Sequence, residues 1–291
     1  MTMNQNLAAE RLKYITAVFL YGTIGMFLRY VSLPSEIAVL CRGVFGSAFI
    51  LACIKARHRK IDRAAVRENR FWLILSGICL GLNWIFLFAA YVTTTVAIAS
   101  LCNYMAPIVV IVLTPAVLHE PLDKRKIPCV IAAFAGIVLV SGFWNGNVGK
   151  LSGVFMGLMA AACFVVIVIC NRKIHGIDSL DKTVIQLGIS AVMVLPYVLI
   201  KNAGASLDWN MRSVAILLLL GIVHTGVAYI FYFSGMSTLP VQTVAVLGYL
   251  EPVVSVLCST VFLKEPMGIA GWAGACLILG AAVISEMIPD A

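Results

Sequence analysis

Long apolar runs alternate with short polar breaks along the whole chain, and this pattern predicts a bundle of membrane-spanning helices. A spanning helix needs about 20 mainly apolar residues, and ten such runs can be placed in the 291 residues. The predicted spans are 12–31, 36–54, 71–91, 96–118, 127–143, 153–170, 183–200, 213–234, 241–262 and 269–287. Several runs are short at one end, so a count of nine spans stays open.

The composition supports a membrane location and excludes an ordinary soluble domain. Hydrophobic residues make up 62% of the chain and charged residues 12%, whereas soluble domains have roughly 45–50% and about 25%. The polar breaks are too short for a second domain, so residues 1–291 are expected to form one integral membrane domain. The nine cysteines fall almost wholly in apolar runs and contain no C-x-x-C pair, so we expect no metal site and no cofactor.

The positions of the basic residues predict the orientation of the chain, which carries a net charge of +8. When the amino terminus is placed inside, fifteen Lys and Arg residues fall in the inner segments and four in the outer ones. Cytoplasmic connections carry the basic excess in membrane proteins, so both termini are expected to be cytoplasmic. Orientation in the membrane thus explains the clusters of basic residues, and we expect no nucleic-acid partner. The expected location is the plasma (inner) membrane, as a multi-pass protein.

A shift of 145 positions aligns the two halves of the chain. The matches include glycine, tyrosine, proline and glutamate, which shared hydrophobicity alone does not align. The clearest pairs are Gly81 with Gly226, Tyr104 with Tyr249, Pro107 with Pro252, Glu120 with Glu265 and Pro121 with Pro266. The repeats 12–143 and 153–287 each hold five predicted spans, and an odd number inverts the second copy, as in many secondary transporters. The expected fold is an all-α membrane protein of ten transmembrane helices in two inverted five-helix repeats.

Two pairs of short motifs carry a resemblance to a known family. They are Tyr104-Met-Ala-Pro107 with Tyr249-Leu-Glu-Pro252, and His119-Glu-Pro121 with Lys264-Glu-Pro266. With the duplication, they resemble the ten-helix EamA-type branch of the drug/metabolite transporter superfamily. The resemblance covers nearly the whole chain and implies transport, often export, of a small metabolite or drug through a central cavity between the halves. It does not name the solute, but mixed charge in the predicted cavity favours amino-acid-like zwitterions.

Glu251 is the leading candidate for a functional residue. It lies about ten residues into the ninth predicted span, which at 1.5 Å per residue is roughly 15 Å deep, near the bilayer midplane. An acid there is costly unless it faces a cavity or a partner, and Pro252 removes a backbone hydrogen bond one turn back. We predict that Glu251 handles substrate or a coupling proton. The alternative is a protonated or arginine-paired glutamate that only holds helices together.

Apart from Lys13 at the inner edge of the first span, the basic residues inside predicted spans are Arg42 and Arg29. Arg42 lies too deep in the second span to reach the surface fully, so it needs an internal acceptor, and Glu251 is the leading partner. Packing of Arg42 against carbonyl groups at a helix end is the alternative. Arg29, near the outer end of the first span, is expected to reach the lipid headgroups.

The remaining candidates are polar and aromatic residues at similar depth. Buried amides and phenols need hydrogen-bond partners, and aromatic rings around a carboxylate can hold an organic cation. The predicted set is Asn83, Trp84, Asn103, Tyr104, His224, Tyr229 and Tyr249, with Tyr232 adding aromatic surface. Each of them has packing between helices as its alternative role, and His224 also permits proton coupling.

The two Glu-Pro pairs, Glu120-Pro121 and Glu265-Pro266, have a structural interpretation. Proline is tolerated in the first turn of a helix and an acid favours its positive end, so each pair is expected to mark a helix exit and to start the next span.

The chain has no recognisable catalytic motif, so we expect no enzyme activity and no catalytic residue. The main hypothesis is a secondary transporter, with a small-molecule solute and membrane lipid as its partners. A membrane-embedded receptor or assembly subunit that transports nothing is the alternative. Monomer and homodimer both stay open.

Overall fold

The chain folds almost entirely into α-helices joined by short turns. A computed structural model describes residues 3–59, 61–106, 108–109, 125, 127–141, 148–204, 206–239, 244 and 247–288, and no strand occurs among them. The helices are α1 (Met3–Leu28), α2 (Ser35–Ala56), α3 (Arg63–Glu68), α4 (Arg70–Thr93), α5 (Val96–Asn103), α6 (Ile127–Ser141), α7 (Val148–Lys173), α8 (Ser179–Lys201), α9 (Met211–Leu218), α10 (Ala228–Thr238), α11 (Leu250–Leu257) and α12 (Ile269–Met287). The predicted all-helical class is confirmed.

Two π-helical segments interrupt the second half of the bundle. Leu219–Val227 joins α9 to α10 without a turn, and Cys258–Phe262 extends α11. Single-turn π segments are frequent at functional sites because they redirect side chains within a continuous helix. The sequence pattern gave no signal for either segment, since both are as apolar as the helices around them.

Five of the described helical stretches are long and apolar enough to cross a membrane. They are Ser35–Ala56, Arg70–Thr93, Leu151–Lys173, Ser179–Lys201 and Met211–Met236, and three shorter apolar helices cover Ile127–Val140, Leu250–Phe262 and Ile269–Ser285. Much of the predicted fourth span and the start of the ninth lie outside the described residues. The count of ten spans and the location of the termini therefore stay predictions.

Helix packing follows the same plan in both halves. α1 packs against α10 and α11, while α7 packs against α4 and α5. α2 pairs with α8, and α6 pairs with α12. If each helix is replaced by its equivalent in the other predicted repeat, every contact named here becomes another contact of the same set. This packing is consistent with two related halves, and it places α1 inside the second half and α7 inside the first.

Glycines allow the tightest of these approaches. A Cβ atom added to Gly81 of α4 would meet the Met193 side chain of α8 at 2.7 Å, and one added to Gly157 of α7 would meet Cys102 at 2.7 Å. Small residues let membrane helices approach closely enough for dispersion contacts to hold them together. The fold therefore depends on backbone proximity at these positions.

Candidate functional site

Both halves carry a break in a helix at equivalent tyrosines. Tyr104 directly follows α5 with φ −73° and ψ 0°, and Tyr249 directly precedes α11 with φ −71° and ψ −6°. Helical residues lie on both sides of each tyrosine. Pro252 cannot donate to the carbonyl of Gly248, which places a helix break one turn before it. Discontinuous helices at matching positions of two repeats are typical of solute sites in transporters.

Glu251 lies in the first turn of α11, directly after this break. The positive end of a helix favours a carboxylate there. The carboxylate lies near the Tyr104 hydroxyl and within electrostatic reach of Arg42. Its side chain still keeps some accessible surface. Glu251 is therefore an interior acid that borders open space and not one sealed in a packed core.

Gly22 fixes the position of α1 against this acid. A Cβ atom at Gly22 would lie 2.6 Å from the Glu251 carbonyl oxygen and 2.7 Å from the Val254 side chain. Only glycine lets α1 lie this close to the first turn of α11. The same helix therefore carries its own side chains into the space around the carboxylate.

Arg42 is held between the two halves of the molecule. Its side chain is buried, and its Nε donates to the Thr225 hydroxyl at 3.0 Å. The guanidinium carbon lies 4.1 Å from the centre of the Trp84 ring and 5.5 Å from that of Phe88. A cation over an indole face is favourable, most of all away from water. Thr225 and the two rings thus fix the orientation of the guanidinium.

Arg42 and Glu251 do not form a direct ion pair. They interact electrostatically, but the ion pairs within 4.0 Å among the described residues do not include this one. The terminal guanidinium nitrogens have no hydrogen-bond partner in that part of the chain. Arg42 and Glu251 are therefore two opposite charges that face the same region without forming the expected ion pair.

Tyrosines from α1 and α10 surround the space between these charges. The Tyr21 ring centre lies 5.7 Å from that of Tyr229 and 5.9 Å from that of Tyr232, and Tyr14 stacks on Tyr232 at 5.0 Å. The Tyr21 hydroxyl is buried and has no hydrogen-bond partner in the part of the chain that the structure describes. We call Arg42, Glu251, Tyr21, Tyr104, Tyr229 and Tyr232 the central cluster. A buried phenol without a partner is unfavourable unless a ligand or water satisfies it.

Tyr14 and Tyr21 were missed by the sequence analysis. They lie seven residues apart, which puts both on one face of α1. Tyr14 lies near the inner end of the first predicted span, where a tyrosine is as typical of an interfacial anchor. Tyr21 lies near the middle of that span, so its depth was a further signal. Their role became visible only when α1 was placed beside α10.

The other predicted residues lie around the central cluster with different partners. The His224 ring is buried, with Nε2 at 3.1 Å from the Thr23 hydroxyl and Nδ1 at 3.3 Å from the Leu219 carbonyl oxygen. The Asn83 amide donates to Asn103 at 3.1 Å and to the Ala160 carbonyl at 2.7 Å, which joins α4, α5 and α7. These contacts match the packing alternative. Tyr249, buried at the break, lies beside Glu251 in the chain.

Glu265 joins the ends of three helical elements across the predicted outer face. Its carboxylate binds Arg29 at 2.5 Å and accepts hydrogen bonds from the Val96 backbone N–H at 2.9 Å and from Ser259 at 2.5 Å. The expectation that this glutamate starts the following helix is wrong, because α12 begins at Ile269 with Gly268 before it and no side-chain cap. Arg29 pairs with this carboxylate and stays exposed, and its contact with the lipid headgroups stays a prediction.

Pro266 is exposed in the turn after Glu265. Glu120 and Pro121, the equivalent pair in the first half, lie outside the described residues. The prediction that they mark a helix exit therefore stays untested.

The opposite end of α1 is fastened to α10. Glu10 accepts hydrogen bonds from Lys13 at 2.7 Å and from the Ser234 hydroxyl at 2.7 Å. These bonds hold the pKa of the Glu10 carboxyl below its ordinary value. Glu10 precedes the first predicted span, so this contact lies at the predicted cytoplasmic face. Helix α1 thus ties to the second half at both ends, with the central cluster between them.

Comparison with known proteins identifies the family. A model of the EamA-like transporter family matches residues 12–142 and 151–287. The chain belongs to this family. It is therefore a multi-pass protein of the plasma membrane, within the drug/metabolite transporter superfamily, and a membrane transporter with a small-molecule solute. The family as a whole consists of transporters, which is in keeping with the expected lack of enzyme activity without excluding it.

Curated relatives share about a quarter of the sequence. An uncharacterized transporter of Bacillus subtilis, YxxF, is 26% identical over 255 residues, covering 86% of this chain and 81% of the relative. An uncharacterized transporter of Archaeoglobus fulgidus is 26% identical over 275 residues, covering 93% and 94%. Protein PecM of Dickeya dadantii is 25% identical over 217 residues, covering 74% and 73%.

A solved crystal structure has a related fold. It superposes with a TM-score of 0.67 at 19% identity, covering 96% of this chain and 98% of the other. At this identity the match shows the fold alone, and the solute has to be argued from the central cluster.

Proposed function

We propose that this chain is a secondary transporter, and an exporter in direction, of a small amino-acid-like solute. The solute binds in the central cluster between two inverted five-helix repeats, each with one broken helix. The observation that carries this proposal is the arrangement of Arg42 and Glu251, which border the same tyrosine-lined space without forming an ion pair. Two enclosed opposite charges held apart are complementary to a zwitterion, which supplies the missing partner of each.

Each end of the zwitterion has a distinct recognition group. The Glu251 carboxylate, next to the tyrosine rings, attracts an ammonium group by charge and by cation–π contact. The terminal nitrogens of Arg42 have no hydrogen-bond partner among the described residues, and a guanidinium binds a carboxylate through two parallel hydrogen bonds. The Tyr21 hydroxyl adds a further polar contact. Uncharged or singly charged analogues leave one enclosed charge unpaired, which is costly.

The two contacts at the ends of α1 serve as closures for alternating access. The Arg29–Glu265 network closes the predicted outer face, and the Glu10–Ser234 contact closes the inner one. Transport requires that each opens in turn while the cluster stays between them, as in rocking of one repeat against the other. A proton on Glu251 competes with the solute ammonium, which supplies a route to proton coupling.

The test uses the purified chain reconstituted in proteoliposomes. A panel of amino acids and related amines is screened for counterflow with internal unlabelled solute. We expect counterflow of at least one zwitterion, and we expect Glu251→Gln to reduce it at least tenfold because the ammonium loses its charged partner. The matched control is Asp208→Asn, which removes the charge of an exposed acid outside the cluster.

Three results would go against parts of this proposal. Binding without counterflow across the panel would favour the receptor or assembly role. Full activity of Glu251→Gln would remove the acid from the mechanism. Uptake of uncharged solutes at the same rate as zwitterions would contradict the role given to the two separated charges.

A further inference from the structure

A second polar site lies at the predicted cytoplasmic face, away from the central cluster. An open recess of about 750 Å³ is lined by Arg63, Ala64, Arg67, Glu68 and Arg70. We call it the arginine recess. Its residues come from α3 and from the first turn of α4, where the chain enters the membrane region. Three guanidinium groups and one carboxylate leave it with two net positive charges.

The arginines of this recess have no acidic partner. The ion pairs among the described residues include Arg59 with Asp178 at 3.4 Å and with Asp181 at 3.5 Å, but they include neither Arg63, Arg67 nor Arg70. In this connection Arg59 is paired with acids, while the three arginines of the recess form no ion pair among the described residues. Like charges one turn apart on a helix repel each other, so an anionic ligand stabilises this arrangement.

The recess is held in shape by a buried asparagine. Asn69, between α3 and α4, donates its amide to the Ala65 carbonyl at 2.9 Å and to the His175 carbonyl at 2.9 Å. It also accepts the His175 backbone N–H at 3.2 Å. The two bonds with His175 fasten the corner to the turn between α7 and α8, and the bond to Ala65 holds Asn69 against α3. The arginines are therefore presented from a fixed corner and not from a loose loop.

An apolar surface begins directly beside the recess. Phe71 is 63% exposed and Ile74 is 49% exposed on the first two turns of α4. Inside the membrane such side chains face acyl chains. The charged recess and this apolar stripe together form an amphiphilic surface, with the polar part at headgroup depth and the apolar part below it.

We propose that the arginine recess binds the phosphate headgroup of an anionic phospholipid of the cytoplasmic leaflet. The guanidinium groups of Arg63, Arg67 and Arg70 bind the phosphate, and the acyl chains lie along Phe71 and Ile74. Arginine suits phosphate because its planar fork donates two hydrogen bonds at once, and basic recesses on the cytoplasmic side recognise anionic headgroups. The lipid would fasten the α3–α4 corner to the membrane surface. This proposal does not depend on which solute is transported.

The test measures lipid binding to the purified, delipidated full chain in detergent. Short-chain phosphatidylglycerol, short-chain phosphatidylcholine and inorganic phosphate are each titrated while the thermal unfolding midpoint is followed. We expect phosphatidylglycerol to raise the midpoint, with little effect of the other two. In Arg63→Gln/Arg67→Gln, the concentration needed for half of the shift should rise about 30-fold, from the attraction lost with two interfacial arginines.

A matched double variant distinguishes binding at the arginine recess from a general effect of positive surface charge. Lys55→Gln/Arg57→Gln removes two exposed positive charges from the same connection without touching the recess, and we expect less than about a threefold change. An equal loss in both double variants would overturn the proposal. Equal shifts with phosphatidylcholine would also overturn it, and an equal shift with inorganic phosphate would show a free-anion site instead of a lipid site.

Discussion

At the scale of single residues, the sequence pointed to the charged residues of the central cluster and to part of its aromatic surroundings, but not to the tyrosines of α1. Glu251 and Arg42 stand out in the sequence because charges within apolar runs are costly and need a reason. Tyr14 does not stand out, because tyrosine is ordinary near the ends of membrane helices, and Tyr21 is a single uncharged residue within the apolar first span. Their role depends on α10, more than 200 positions away in the chain, and no local pattern contains that information.

The Tyr21 hydroxyl provides a test of ligand recognition at this scale. Since it has no protein partner, Tyr21→Phe should leave the free energy of unfolding within about 0.5 kcal/mol of the unchanged protein. The same substitution should weaken solute binding about threefold to tenfold, because one polar contact to the solute is lost. Isothermal titration calorimetry and thermal unfolding measure the two effects.

Tyr91→Phe is the matched control for this substitution. The Tyr91 hydroxyl lies 3.3 Å from Ser100 Oγ, so its removal breaks a contact within the protein. We expect Tyr91→Phe to lower stability with a smaller effect on binding. The reverse order, with Tyr21→Phe destabilising and binding unchanged, would show that the Tyr21 hydroxyl contacts protein and not solute.

At the scale of helices, the sequence predicted the elements better than their interruptions. The paired Tyr-x-x-Pro motifs did carry a signal for the breaks at Tyr104 and Tyr249, because proline disrupts the turn before it. The π-helical segment Leu219–Val227 carried none, yet it brings Thr225 to Arg42. Glu265 was expected to cap its own following helix. It instead binds Arg29 and Val96, contacts 236 and 169 residues away in sequence, which no local rule predicts.

The approach of α1 to α11 can be tested at Gly22. Gly22→Ala places a methyl group 2.6 Å from the Glu251 carbonyl oxygen, so it should push the helices apart and lower the free energy of unfolding by about 1–3 kcal/mol. It should also weaken solute binding, because Glu251 moves relative to Tyr21. Thermal unfolding and a binding titration on the purified variant give both values.

Gly188→Ala is the matched control on α8. No atom lies within 4 Å of a Cβ built at Gly188, so this change should be neutral or stabilising by up to about 1 kcal/mol, from the better helix propensity of alanine. Equal effects of the two substitutions would mean that the close contact at Gly22 does not control the site.

At the scale of the whole molecule, the duplication and the distribution of charge predicted two related, inverted halves. The helix packing is consistent with two related halves. The exchange of α1 with α7 and of α4 with α10 reproduces the main helix contacts. Orientation in the membrane does not follow from the packing, because both faces of the bundle carry ion pairs. It rests on the count of basic residues in the connections.

The inverted arrangement predicts that equivalent connections lie on opposite sides of the membrane. Single cysteines at Lys55 and at Lys201, in a background without the native cysteines, should react differently with a membrane-impermeant maleimide in intact cells. We expect Lys201→Cys to be labelled from outside and Lys55→Cys only after the membrane is permeabilised. Labelling of both from the same side would contradict the inverted repeats.

The central claim is that the solute bridges Glu251 and Arg42, and a double-mutant cycle between protein and solute tests it most directly. Binding of the zwitterion and of its analogue without the amino group is measured by calorimetry for the unchanged protein and for Glu251→Gln. The account predicts that loss of the amino group weakens binding at least tenfold in the unchanged protein and less than about twofold in Glu251→Gln, because the two changes remove the same interaction. Equal losses in both proteins would contradict it, since the ammonium would then bind elsewhere.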